Sequence, residues 1–302
     1  MRETPIVRML PDERRLHLHD GPIDLIVGAF GSNAEIRTAY EAAARRFLTI
    51  LDELCAELPL LRSAAGLKSA RPNGIVARRM ADAVGPFATE HFITPMAAVA
   101  GAVAEEILGA MTTAANLFRA YVNNGGDIAL DLAAGGSFKI GMIERPDRPS
   151  LFGSINLHAS QSIRGIATSG WRGRSFSLGI ADAVTVLAER AAMADAAASI
   201  IANAVDLPNH PAIARVPACE IAPDNDLGEQ LVTRAVGELT PREITQALHS
   251  GVVVARQLMS RGLICAAAFR LQGQSRVEPQ ALRMMTLIDH PDAESLGSVL
   301  HV

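Results

Sequence analysis

The sequence predicts an α+β fold, a single domain of mostly antiparallel sheet with flanking alanine-rich helices. Helical patterns bracket a central block of short strands instead of alternating regularly with them, which is typical of this class. Aromatic residues make up only 4% of the 302 residues, so small aliphatic side chains must form the core at short distances between elements. No internal repeat or long polar linker divides the chain, and residues 1–302 are expected to form one domain.

A β-hairpin is predicted over residues 14–29, where polar and apolar residues alternate on either side of Asp20-Gly21. The leucines of its first strand are expected to face the core, whereas His17 and His19 share the opposite face. Polar residues are common at such strand positions without any further role. We therefore expect that neither histidine binds a metal, while both remain candidates for the mouth of a pocket.

Three helices are predicted in the first part of the chain, at residues 32–59, at residues 75–84 and starting at Thr94-Pro95. Ser32 and Glu35 are predicted to form a capping box at the start of the first helix. A surface loop over 62–73 separates the first two. The third helix has small residues on nearly every face, so another backbone segment or a ligand can approach it closely.

Short apolar runs separated by turn residues predict antiparallel strands between residues 119 and 169. Further elements are predicted in this order: a strand at 183–188, an alanine-rich helix at 190–205, a helix opened by a Thr240/Glu243 capping box, and a strand at 263–271. The tail beyond residue 278 carries weaker signals.

Charge and cysteine content exclude several classes of function. Lysine and arginine total 28 against 32 acids, a net charge of −4, so no broad basic face is expected to bind nucleic acid. The cysteines lack metal-site spacing, and neither a disulfide nor a zinc site is expected at Cys55, Cys219 or Cys265. The charged N-terminus predicts no signal peptide, and charges interrupt each long apolar stretch. A cytoplasmic protein without a membrane span is expected.

Adjacent glycines mark the first candidate site, within the segment Asn-Asn-Gly-Gly-Asp. Gly125 and Gly126 would let the main chain pass close to a ligand, and Asp127 offers a carboxylate to a sugar or base. The same residues also make an excellent hairpin turn, which is the more economical interpretation of this segment taken alone.

Hydroxyl and guanidinium groups mark the second candidate site. Thr168 and Ser169 are followed closely by Arg172 and Arg174, a set suited to charge-assisted hydrogen bonds with phosphate. An exposed loop would look similar. The neighbouring Trp171 leaves a stacked cation–π surface as the alternative.

A carboxylate and a hydroxyl one helical turn apart mark the third candidate site. Asp195 and Ser199 lie on the same helix face, and both are hard oxygen donors suited to Mg²⁺. In an alanine-rich helix, the competing interpretation is a tight packing contact, which spacing alone favours.

Taken together and in this order, the three segments resemble the ApbE family, the magnesium-dependent FAD:protein FMN transferases. The resemblance covers residues 90–205 and rests on a small-residue helix, a Gly-Gly-Asp hairpin, a Thr-Ser-Gly strand end, and a Val-Thr-Val strand running into an Ala-Asp-Ala helix. It implies a site for FAD or a related nucleotide, with Mg²⁺ on Asp195 and Ser199 and with ligand contacts from the other two segments.

The hairpin, the stretch at 169–188 and the block that opens the C-terminal region 226–271 look more specifically like an uncharacterised, UPF-type ApbE-like family. The true transferases carry a His-x-Ile-Asp-Pro-x-Thr-Gly segment where this chain has residues 174–182. That segment lacks histidine here, and Asp182 is the candidate that would take over part of its catalytic role.

The resemblance leads to a cytoplasmic ApbE-like protein, an enzyme or a binding protein, for a flavin, pterin or other nucleotide-like cofactor. FMN transfer itself is expected to be inefficient. One alternative is an enzyme of a specialised one-carbon or pterin cofactor pathway. Another is a noncatalytic homo-oligomer whose small-residue helices pack subunits together. We expect the protein to bind a small-molecule ligand and to form a homo-oligomer.

Overall fold

Antiparallel sheet forms the centre of the molecule in the computed structural model, which describes residues 4–66, 69–143, 151–279, 285–287 and 300–301. The strands are β1 (Ile6–Met9), β2 (Arg15–Asp20), β3 (Ile23–Phe30), β4 (Arg119–Asn124), β5 (Asp127–Leu132), β6 (Ser137–Ile143), β7 (Leu151–His158), β8 (Gly165–Ser169), β9 (Ala183–Ala188), β10 (Ile213–Pro217), β11 (Leu231–Val236), β12 (Ala266–Leu271), β13 (Gln274–Glu278), β14 (Met285–Leu287) and β15 (Leu300–His301). The helices are α1 (Asn33–Ala56), α2 (Leu58–Leu61), α3 (Ile75–Val84), α4 (Val99–Ala114), α5 (Ala191–Ala204), α6 (Ala218–Ile221) and α7 (Pro241–Ser260).

Within these ranges, nine strands form one sheet in the order β1-β2-β3-β4-β5-β8-β9-β12-β13, with every neighbouring pair antiparallel. A second sheet has the order β14-β7-β6-β15, in which β15 runs parallel to β6. Strands β10 and β11 form a separate ribbon. The predicted α+β class with mostly antiparallel sheet is confirmed.

Alternating side chains of β9 show how the layers are built. Val184 and Val186 pack with the helices, whereas Ala183 and Leu187 pack with the second sheet. Because successive side chains of a strand point to opposite faces, a strand covered on both sides is apolar on both faces, and the one polar side chain of β9, Thr185, is paired with Thr168. The large sheet therefore lies between a helical layer and the second sheet.

The hairpin turn falls one residue later than predicted. Asp20 is the last residue of β2 and pairs with Ile23, so Gly21 and Pro22 form the loop. Gly21 has a φ of +56°, a left-handed conformation that glycine adopts without steric cost.

The small-residue helix begins differently from the prediction. Pro95–Ala98 forms a 3₁₀ turn, and α4 starts only at Val99. Thr94 does not cap this helix, because its hydroxyl hydrogen-bonds to Asp226 of a distant loop. By contrast, the predicted capping box of Thr240 and Glu243 is present at α7.

Helices α4 and α5 approach each other at their N-terminal ends. A Cβ on Gly101 would overlap the Ala191 carbonyl, so only glycine fits at this position. One helical stretch of the described chain, Pro95–Ala114, is long and apolar enough to cross a membrane by length and composition. Its helix α4 packs in the protein against α1, α5 and strands β4 and β5.

Several elements had no sequence prediction, among them β1, β10, β11, β13 and α6. Strand β1 is exposed along its whole length, so it lacks the alternation that would reveal it. Most of the tail beyond residue 278 lies outside the described residues. The single-domain assignment remains a prediction.

Candidate functional site

A pocket of about 530 Å³ lies where the β4–β5 turn, the end of β8 and the first turns of α4 and α5 meet. Its volume is in the range typical of small-molecule sites. Nine of the residues singled out from the sequence line it: Gly125, Gly126, Asp127, Thr168, Ser169, Arg174, Asp182, Asp195 and Ser199. Three segments that are far apart in the chain thus share one cavity.

The Gly-Gly turn is both a hairpin turn and part of the pocket wall. Gly125 and Gly126 have φ angles of +65° and +115°, which favour glycine. Asn124 fixes the turn to the start of α4, because its Nδ2 donates to the Ala100 carbonyl at 3.2 Å. A Cβ on Gly125 would overlap the guanidinium of Arg174, so the glycine lets this arginine lie against the turn.

Asp127 follows the turn and holds the end of β8. Its Oδ1 accepts a hydrogen bond from the Thr168 N–H at 3.2 Å. Burial raises the pKa of Asp127 to about 7, although the Thr168 N–H and the charge of Arg174 oppose this shift. A proton or a cation is therefore favoured at this carboxylate near neutral pH.

Asp195 faces the N-terminus of α4. Its Oδ2 accepts from the Gly101 N–H at 3.0 Å, which is possible because the two helices approach so closely. Burial, and then the negative charge of Asp127, raise the pKa of Asp195 well above its usual range. The residue thus stabilises a helix end, and it also brings a second acid into the pocket.

The residues here fit a partial magnesium shell. Asp195 and Ser199 offer a carboxylate and a hydroxyl, and the neighbouring Asp127 adds a second desolvated carboxylate. Mg²⁺ prefers such oxygen donors and keeps waters or ligand phosphate in its remaining positions. Among the described residues, no cluster of three or more His, Cys, Asp or Glu side chains offers a complete site.

At the Thr-Ser-Gly end of β8, the polar groups of Thr168 are hydrogen-bonded within the protein. Thr168 lies opposite Thr185 of β9, and the two hydroxyl oxygens are 2.8 Å apart. Its hydroxyl therefore has a partner in the protein, while its N–H binds Asp127. Ser169, the next residue, lines the pocket.

Asp182 organises the loop after β8. Its Oδ1 accepts from Arg172 Nε at 2.7 Å and from Trp171 Nε1 at 3.3 Å, and its Oδ2 accepts from the Gln272 N–H at 2.6 Å. The guanidinium of Arg172 stacks on Trp171 at 4.3 Å and does not line the pocket, so the cation–π alternative describes this residue. These contacts give Asp182 a structural role; its catalytic role remains a prediction.

Five polar residues of the pocket were not among the candidate site residues: Arg8, His17, Asp24, Asn123 and Ser175. Arg8, His17 and Asp24 come from β1 to β3, outside the segments that carry the motifs, whereas Asn123 and Ser175 lie within such segments. The sequence signal for His17 is its position on the polar face of the predicted hairpin, which makes it a candidate for the mouth of a pocket. His19, two residues along the same strand, does not line the pocket.

Comparison with protein families gives a match over residues 7–277 to the family described as "AbpE bacteria". The chain belongs to this family. Every residue that lines the pocket lies within the matched region.

Similar curated proteins are named UPF0280 proteins, and their names state no function. The chain is 42% identical over 129 residues to the one from Methanopyrus kandleri, covering 42% of this chain and 48% of that protein. It is 38% identical over 140 residues to the one from Methanosphaerula palustris, covering 43% and 52%. The chain thus spans about half the length of the curated relatives that it matches.

Proposed function

We propose that this protein binds a flavin, pterin or other nucleotide-like cofactor in the pocket and acts on it as an ApbE-like enzyme. The observation that carries the proposal is that three separate segments, each a candidate site by its sequence, line one cavity of about 530 Å³. Packing roles alone would not require glycines, hydroxyls, an arginine and three acids from different parts of the chain to face the same space.

Asp195 and Ser199 would hold Mg²⁺, with Asp127 beside them. Bound Mg²⁺ would offset the negative charge that develops on a ligand phosphate. The chain's own groups provide the remaining functions: Arg174 supplies positive charge near the turn, and the Gly125-Gly126 backbone admits the ligand closely.

The likeness to FAD:protein FMN transferases supports FAD as the first ligand to test. The segment 174–182 lacks the transferase histidine, and the carboxylate of Asp182 is engaged by three donors. We therefore expect FAD binding with inefficient delivery of FMN to a protein hydroxyl. In-gel flavin fluorescence after incubation with FAD, Mg²⁺ and a flavinylation-competent acceptor measures this; a strong band lost in Asp195→Asn would contradict it.

Calorimetric titration of FAD with and without Mg²⁺ tests the proposal. We expect Mg²⁺-dependent binding that Asp195→Asn weakens about tenfold or more, since one charge-assisted ligand bond is lost. Asp131→Asn, the same substitution elsewhere on β5, is the matched control because Asp131 does not line this pocket. Equal binding by all three proteins would remove the proposed metal site.

Mass spectrometry of small molecules released from the purified protein tests the wider ligand class. A pterin in place of a flavin would favour the alternative of a one-carbon or pterin cofactor pathway.

The packing alternative is less well supported, because most alanines of α5 are buried inside the chain and so face no partner subunit. Cytoplasmic location and homo-oligomeric assembly remain part of the proposal.

A further inference from the structure

Three charged or titratable side chains line the pocket from the N-terminal strands: Arg8, His17 and Asp24. The strand register places Arg8 opposite His17, and His17 opposite Ile26. Residues directly opposite each other in an antiparallel sheet share one face, and so do residues two apart on one strand. Arg8, His17 and Asp24 therefore lie on the same face of three neighbouring strands. None of them belongs to the segments that suggested a ligand.

The hydrogen bonds of His17 define its tautomer. Arg8 Nε lies 3.2 Å from His17 Nδ1, and His17 Nε2 lies 2.7 Å from Asp24 Oδ1. Since a guanidinium N–H only donates, Nδ1 must be the acceptor, and the ring hydrogen is on Nε2, facing Asp24. The side chain of His17 is only 13% exposed, so this geometry is held inside the pocket wall.

Arg8 can leave His17 Nδ1 for a stronger acceptor. It lies on the exposed edge strand β1, where its cationic donor meets a neutral ring nitrogen. A guanidinium binds a phosphate oxygen more strongly than a neutral acceptor. An anionic ligand would therefore draw Arg8 away and leave Nδ1 beside the anion, with Asp24 behind the ring.

We propose that Arg8 and His17 form a subsite for the phosphate or diphosphate of the ligand, and that His17 takes up one proton as this anion binds. The inference rests on the proposed function for the identity of the ligand. The proton comes from solvent and forms the Nδ1–H bond, and no bond of the ligand changes. His17 then offers a second donor to the anion and keeps its bond to Asp24.

The charges around the pocket agree with this placement. Asp127 and Asp195 make its other wall acidic, which disfavours a phosphate without Mg²⁺ there, although Arg174 lies on that side against Gly125. Arg8 brings positive charge to the His17 side. Among the described residues, Arg15 and His19 share the face of β2 that carries His17. The rings of His17 and His19 have centroids 6.2 Å apart, and His19 Nδ1 is 4.0 Å from Asp24.

Calorimetry in buffers of different ionisation enthalpy measures this proton uptake, with FAD plus Mg²⁺ and with inorganic pyrophosphate alone as probes. Titrations span pH 5 to 8, the range in which histidine changes charge. We expect the wild type and the matched control His19→Gln to take up as much as one proton more per bound probe than His17→Gln does. Protons that Mg²⁺ displaces from Asp127 and Asp195, or that pyrophosphate itself exchanges, are common to all three proteins and cancel in this difference. Arg8→Gln should weaken binding of both probes about tenfold.

NMR of the ring nitrogens in the unaltered protein gives a readout independent of mutant folding. Nδ1 of His17 should change from an unprotonated to a protonated signal on addition of pyrophosphate. Pyrophosphate uptake without FAD binding would support the subsite and remove the flavin function. FAD binding with unchanged His17 signals, or binding of neither probe, would overturn the subsite.

Discussion

The buried carboxylates of Asp127 and Asp195 are unfavourable when ionised, and a single substitution should remove this cost. Asp127 has a pKa raised from 3.8 to about 7 by burial, with a second acid, Asp195, close enough to be affected by its charge. We predict that Asp127→Asn makes the folded protein more stable than the wild type at alkaline pH. An asparagine Oδ1 can still accept the Thr168 N–H, so the bond that holds β8 need not be lost.

The direction of this pH dependence follows from the difference between the folded and unfolded pKa of Asp127. A group whose pKa is raised by folding favours the folded state most when protonated, below its unfolded value, and loses that contribution as pH rises through its folded value. For Asp127 the window runs from 3.8 to about 7. At 1.36 kcal/mol for each pKa unit, the cost of ionising Asp127 in the folded protein reaches about 4 kcal/mol above this window.

Urea unfolding of wild type and Asp127→Asn at pH 4, 6 and 8 checks this prediction, in the absence of divalent cations. The difference in unfolding free energy should grow with pH in favour of the variant, up to about 4 kcal/mol. Asp131→Asn, on the same strand and outside this pocket, should show no comparable trend. A difference that stays constant from pH 4 to pH 8 would refute the electrostatic reasoning.

Two further predictions concern packing and the loop after β8. Gly101→Ala should lower the unfolding free energy by about 2–4 kcal/mol, because its Cβ would overlap the Ala191 carbonyl; Gly109→Ala on the same helix, with open space at its Cβ, should be neutral or stabilising. A neutral Gly101→Ala in thermal unfolding would contradict the close contact. Asp182→Asn should cost about 2 kcal/mol by removing the charge that pairs with Arg172, and protease digestion should then cut the 170–182 loop faster. Unchanged stability and unchanged cleavage would show that this ion pair does not hold the loop.

Local pattern determined much of the fold. The six residues of β9 read as a strand because apolar side chains occupy both faces, and α7 could be placed from its Thr240 and Glu243 capping box. Both signals depend only on residues near each other in the chain. The exposed strand β1 escaped prediction because it buries no face, although the nine-stranded sheet includes it.

The sequence also identified Asp127 and Asp195 as candidates, but only the tertiary structure made them neighbours. Their separation in space depends on how β5 packs with α5, and on the contact of Gly101 with Ala191 that brings the helix ends together. In the same way, Arg8 meets His17 only through the register of β1 and β2. Such long-range contacts are decided by the joint packing of many elements, and no local pattern encodes them. The sequence by itself thus determined most of the strands and helices and the motif residues, because each rests on a local pattern, whereas the packing of the sheet and helices decided which residues share a pocket.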